Sequence, residues 1–265
     1  MEQPATRVPD EIPAGWIALV VRQRRSTLVV LALSLAGWAV LAWLVFDMGH
    51  PLAMLTMPGS PDWSVANVVA VWAMWAVMMA AMMLPSALPM IVTFVQLSER
   101  GGAQGRGRGF VAAYLLVWFG FSTAAVAAQW ALQAMQWIDP MIVSTSAALT
   151  SLLLLVAGVY QFSPLKHICL AKCRTPMGFL LGEWREGSRG GFVMGLRHGL
   201  FCVGCCWALM TLLFVGGAMN LAWIAALSIA VAIEKMVPGG GRLAGALGVV
   251  LIGAGVWRLI ALLGG

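Results

Sequence analysis

Charge is what this chain has least of. Only 10% of its 265 residues are Asp, Glu, Lys or Arg, while 61% are hydrophobic, and the mean hydropathy is +0.90. Soluble domains carry about 25% charged residues. A water-soluble fold of this length has nowhere to hide so much apolar surface, so the solvent for most of the chain is lipid. Histidine is scarce as well: His50, His167 and His198 are the whole supply, which argues against a histidine-rich oxidase core. No phosphate-cradling glycine loop, no serine–histidine–acid set and no carboxylate pair placed for hydrolysis is present, which argues against a conventional hydrolase. There is no strong internal repeat. A cleavable signal peptide is not expected either, because Met1 to Gly15 is polar and proline-bearing and the first apolar run is long enough to span.

What is present is a series of apolar runs. They cover roughly Ser26 to Phe46, Val65 to Val95, Phe110 to Leu132, Ile142 to Tyr160, Gly191 to Val215, Asn220 to Ile233 and Leu243 to Leu263. Each approaches the roughly 20 residues that cross a hydrocarbon core, and the Asn220 run is the shortest. The expected fold is an all-α polytopic membrane bundle of about seven helices. Residues 1–25 form a tail, 26–265 a single transmembrane domain, and about 161–190 a long loop. Basic residues cluster in alternate loops: Arg22, Arg24 and Arg25; Arg100, Arg106 and Arg108; Lys166 to Arg189; Lys235 and Arg242. The intervening loops hold Asp47, Asp62 and Asp139 without a lysine or arginine. That alternation puts the N-terminus in the cytoplasm of a bacterial inner membrane. It also explains the net charge of +6 without nucleic acid, for which no role is expected.

Five cysteines fall in two short stretches and nowhere else. In HGLFCVGCCWALM, at about 100° per residue, Cys202, Cys205 and Cys206 lie within about 80° of His198 on a helix. In SPLKHICLAKCRTP, Cys169 and Cys173 are spaced i, i+4, and His167 lies just upstream. Pro164 and Pro176 bracket a short helix there, which either lies on the membrane surface or tucks under the bundle. A fold that brought it to the mouth of the His198 helix would join the two clusters. A lone buried cysteine is ordinarily a small hydrophobe, and C-x-x-C-C lacks the paired spacing of a zinc ribbon. Five thiols confined to two stretches are a stronger signal than any one of them.

The Val65 run adds thioethers. Met74, Met78 and Met82 repeat at i, i+4, i+8, and such soft donors suit Cu(I), although methionine also packs bilayer helices. In MMLPSALPM, Pro85 and Pro89 free carbonyls one turn earlier. Inside a membrane such breaks persist only where protein or a wet cavity satisfies them again, and Ser86 is one candidate. Gln129, Gln133 and Gln136 form a polar stripe suited to interhelical hydrogen bonds. Glu234 and Lys235 mark an interface, with Glu234 a candidate buried acceptor. His50 and Asp47 offer an external metal a weak landing site.

YQFSPLKHICLAKCRTP, GLRHGLFCVGCCWALM and MMLPSALPM together resemble an uncharacterised bacterial family of metal-binding integral membrane proteins, domain of unknown function 2182, over roughly Val65 to Leu262. The resemblance implies a polytopic inner-membrane protein with metal at its cysteine motifs, here Cys169, Cys173, Cys202, Cys205 and Cys206.

The leading functional expectation is Cu(I) handling, by transport or by delivery to a membrane or periplasmic copper enzyme. The ligands would come from those thiols with His167, His198, Met78 and Met82. One alternative is a transmembrane thiol–disulfide relay, in which Lys166, Lys172 and Arg174 activate the thiols. Others are a metal-free scaffold subunit of a membrane enzyme and a membrane oxygenase centred on copper or haem.

Overall fold

The structure is a computed structural model that describes residues 21–102 and 105–264. Most of the expected 1–25 tail lies outside the described residues, as do residues 103 and 104. Helices account for nearly all of the rest, and no strand occurs among the described residues. In chain order they are α1 (Arg24–Phe46), α2 (Pro51–Thr56), α3 (Val65–Arg100), α4 (Arg106–Ala134), α5 (Ala147–Tyr160), α6 (Pro164–Arg174), α7 (Pro176–Glu183), α8 (Gly187–Thr211), α9 (Leu213–Gly216), α10 (Leu221–Met236) and α11 (Gly240–Leu263).

Among the described residues, five helical stretches are long and apolar enough to cross a membrane: α1, α3, α4, Arg189–Gly216 and α11. A sixth counts if α5 and α6, bent by 64°, make one span. The pattern of apolar runs had suggested seven. Two local causes explain the smaller number. Ile142 sits at φ 65° in a turn, where the Asp139 carboxylate accepts the Val143 N–H, so α5 starts only at Ala147 and has 14 residues. At its far end Ser163 caps a new helix by accepting the Lys166 N–H. Pro164 occupies the first turn of that helix, where its missing N–H costs nothing. Helix α10 has 16 residues, about 24 Å, which is short of a core about 30 Å thick.

Helix α3 is the axis of the bundle. Ser64 and Asn67 form a reciprocal cap at its start, and the helix runs 36 residues through both prolines. The carbonyls beside the break are taken by hydroxyls from other parts of the bundle. Ala81 O, which Pro85 leaves without its helical donor, accepts from Ser34 Oγ of α1 at 2.8 Å. Met82 O accepts from Ser228 Oγ of α10, and Met83 O from both Ser86 Oγ and Tyr114 OH. The break is held open by protein, as a low-dielectric setting requires.

Two close pairings complete the frame. Helices α4 and α8 run in parallel, with Gly191, Gly195 and Gly199 of α8 against Arg106, Phe110 and Val117 of α4. A Cβ at Gly195 would run into the Phe110 carbonyl. Small residues at i, i+4 intervals let two backbones touch where apolar lipid gives no drive for association. Helices α5 and α11 also pack through glycine but run antiparallel, with Gly158 against Gly248 and Ile252.

Candidate metal-handling site

Residues 161–190, read from sequence as a long loop, contain α6 and α7. Helix α6 tucks against α8 and α10 instead of lying out on the surface. It is fixed by Lys166, whose Nζ donates to Glu234 Oε2 of α10 at 2.6 Å with the lysine 1% exposed. Gln161 Nε2 donates to the other Glu234 oxygen at 3.1 Å. Lys166 is therefore a buried structural charge and not the thiol-activating group that the relay reading gave it.

With α6 held this way, the two cysteine clusters meet. Cys173 Sγ of α6 lies 4.0 Å from Cys205 Sγ of α8, and Cys169 Sγ faces Gly204, where a Cβ would come within 2.8 Å of it. All five cysteines are free thiols, and Cys169, Cys202, Cys205 and Cys206 are buried. Cys205 and Cys206 both turn back to donate to the Cys202 carbonyl, at 3.1 and 3.0 Å. Cys202 precedes Cys205 and Cys206 by one turn of the same helix.

Cys202 has the most polar surroundings of the set. Lys235 Nζ donates to its sulfur at 3.0 Å, and the Tyr114 hydroxyl meets it at 3.1 Å. Lys235 is 4% exposed, and its Nζ also donates to Ser86 Oγ at 3.3 Å. Ser86 in turn donates to Met83 O. The proline break of α3 therefore lines the thiol site. Sequence reasoning missed Lys235 and Tyr114 as site residues. A signal existed: the chain has two tyrosines, and both reach the cysteine stretch of α8, Tyr160 OH by donating to Gly204 O.

The remaining candidates divide. His198 is 2% exposed, with its ring packed against Phe110, Tyr114 and Phe179, and its Nδ1 has no hydrogen-bond partner. It lies one turn before Cys202. His167 lies on the exposed side of α6, away from the thiols. Met78 and Met82 are fully buried in α3. His50 Nδ1 accepts the Leu52 N–H, which places the neutral ring's proton on Nε2 and leaves neither nitrogen free for a metal. Among the described residues no three His, Cys, Asp or Glu side chains already form a coordination set.

The chemistry of this donor set is soft. Thiols with a nearby imidazole and thioethers suit Cu(I) better than hard cations. Comparison with curated proteins and with solved structures returns no match. The family model described as PpoB2, copper chaperone, matches residues 72–258, a range that takes in the methionine run and both cysteine clusters. The sequence resemblance pointed to an uncharacterised metal-binding family; the matching one is named for copper. With most of its length inside that match, the chain belongs to the PpoB2 copper chaperone family.

Proposed function

We propose that the protein is a multi-pass bacterial inner-membrane chaperone that takes up Cu(I) on the joined thiol cluster and delivers it to a copper enzyme in the membrane or periplasm. The observation that carries this reading is the meeting of α6 and α8. Sulfurs 4.0 Å apart subtend about 120° at an ion held by bonds of about 2.3 Å. One ion can therefore bridge Cys173 and Cys205 without moving either helix. Cys202 or Cys206 supplies a third sulfur once the Cys205 and Cys206 thiols lose their protons and release the Cys202 carbonyl. His198, one turn away with an unpartnered nitrogen, is the reserve ligand. A reducing cytoplasm keeps the thiols available, and the bias of basic loops supports that side for this end of the bundle.

The test is Cu(I) competition against a chelator with the full-length protein, purified without oxygen. Cys205→Ser is expected to weaken binding by at least about a hundredfold, or about 2.7 kcal/mol. A parent protein that takes up no Cu(I), or a variant that matches it, overturns the reading.

A second reading, the thiol–disulfide relay, draws on the same neighbours, since free Cys173 and Cys205 already face each other. Alkylation trapping separates the two. A Cys173–Cys205 pair that cycles between reduced and oxidised states during turnover favours the relay; thiols that stay reduced favour copper.

A further inference from the structure

The thiol site lies at one end of a second feature that the copper reading does not use. Along one flank of α4, Tyr114, Trp118, Ser122, Gln129 and Gln133 fall within about 100° of one another around the helix axis. All five are buried. Tyr114 touches Cys202. Gln133, 19 residues on and therefore about 28 Å along the axis, lines a cavity of about 270 Å³ between the 58–61 turn and the far end of α4. A buried polar row about as long as the hydrocarbon core is thick is costly in a membrane protein unless it has partners or a use.

Two members of the row lack partners among the described residues: Trp118 Nε1 and Gln129 Nε2 are buried donors with nothing there to donate to. The other Gln129 amide atom is spoken for, because Oε1 accepts from Trp75 Nε1 of α3 at 2.8 Å. Buried orphan donors of this kind ordinarily hold ordered water. Facing them, α3 presents thioethers. Met78, Met79 and Met82 lie within about 60° of Trp75 around α3, and Trp75 points at α4 through its bond to Gln129. The antiparallel seam is fixed at both ends, by Tyr114 on Met83 O and by Trp75 on Gln129.

The geometry points to the α3–α4 seam as the exit route for Cu(I). The ion passes from Cys202 to the Met82 and Met78 thioethers and leaves past Gln129 into the cavity at Gln133, on the outer side of the membrane. This rests on the copper reading and adds a path and a direction to it. Thioethers bind Cu(I) through neutral sulfur, so each transfer exchanges one soft donor for another and needs no redox partner. Gln133 is itself tied to the outer turn, accepting from Trp63 Nε1 and donating to Pro58 O, so the mouth of the route has a fixed shape for a receiving protein.

The experiment uses the full chain, loaded with Cu(I) and reconstituted in sealed vesicles, with a membrane-impermeant Cu(I) chelator on the outer side. Met78→Leu with Met82→Leu conserves volume. From protein loaded to the same Cu(I) content as the parent, it is expected to slow release to the chelator at least about tenfold. Release at the parental rate overturns the route. If the double variant fails to fold, Met82→Leu alone must still slow release; release from it at the parental rate overturns the route. A parent that binds Cu(I) but never discharges it outward removes the route and leaves the chaperone reading standing. A parent that binds none removes both.

Discussion

Two buried lysines, each joined to α10 or part of it, show how differently this bundle treats positive charge. Lys166 meets a carboxylate, Glu234, in a closed pair backed by Gln161. Among the described residues Lys235, the very next residue of α10 after Glu234, meets no carboxylate. It is bonded to a thiol and a serine hydroxyl, and the acids facing it are Cys202, Cys205, Cys206 and Tyr114. The first pair is internally balanced and does the work of a fastener. The second lysine is balanced only through sulfur, so its comfort depends on the state of the thiol site. A net-neutral pair can be built into a scaffold and left alone, whereas a cation facing thiols responds to whatever binds them.

The largest expected effect comes from breaking the balanced pair. Glu234→Gln leaves the Lys166 ammonium buried without a counter-charge, and stability in detergent should drop by about 3–5 kcal/mol, read from thermal melting. Replacing both partners together, Lys166→Met with Glu234→Met, should recover most of that loss, because apolar substitution of a whole buried pair is near neutral. Next comes Lys235→Met. The fold should lose less than about 1.5 kcal/mol, since the volume is kept and no charge is stranded. Cu(I) affinity by chelator competition should nonetheless fall about tenfold, because the cation facing an anionic copper–thiolate centre is gone. If Glu234→Gln and Lys235→Met behave alike, the comparison fails.

A milder measurement sharpens it. Brief oxidation should join Cys173 to Cys205 in the parent protein, and the yield read on gels should drop in Glu234→Gln, where α6 has lost its anchor. The smallest effect belongs to His167→Ala on the exposed side of α6. Melting should stay within about 0.5 kcal/mol, and Cu(I) affinity should be unchanged.

The same two lysines mark where sequence reading stopped. The long apolar runs that became α1, α3, α4, α8 and α11 were legible because hydropathy and length alone pick out a span. The placement of three cysteines and His198 along one helix was legible from spacing, and so was the short helix bracketed by Pro164 and Pro176. The use of the α3 break was half visible, since two prolines four residues apart announce freed carbonyls and Ser86 stands between them. Lys166 and Lys235, by contrast, were counted as loop charges facing water. Charge bias treats every lysine near the end of a span as solvated, and it has no way to see that Glu234 and Cys202 arrive from other helices to receive them. Tyr114 was lost for a related reason: inside an apolar run it reads as one more ring, and only the third dimension puts its hydroxyl on a sulfur. The shortness of α5 was hidden because Ile142 to Tyr160 carries no charged residue, while the turn at Ile142 that shortens the helix depends on Asp139.

Gly204 deserves a last consequence. Its bare backbone is what lets Cys169 rest against α8. A methyl group there acts as a wedge: either the Cys169 thiol swings aside or α6 lifts from its neighbour. An alanine at this one position therefore leaves every donor atom in the inventory and alters only how closely the two halves of the nest can shut.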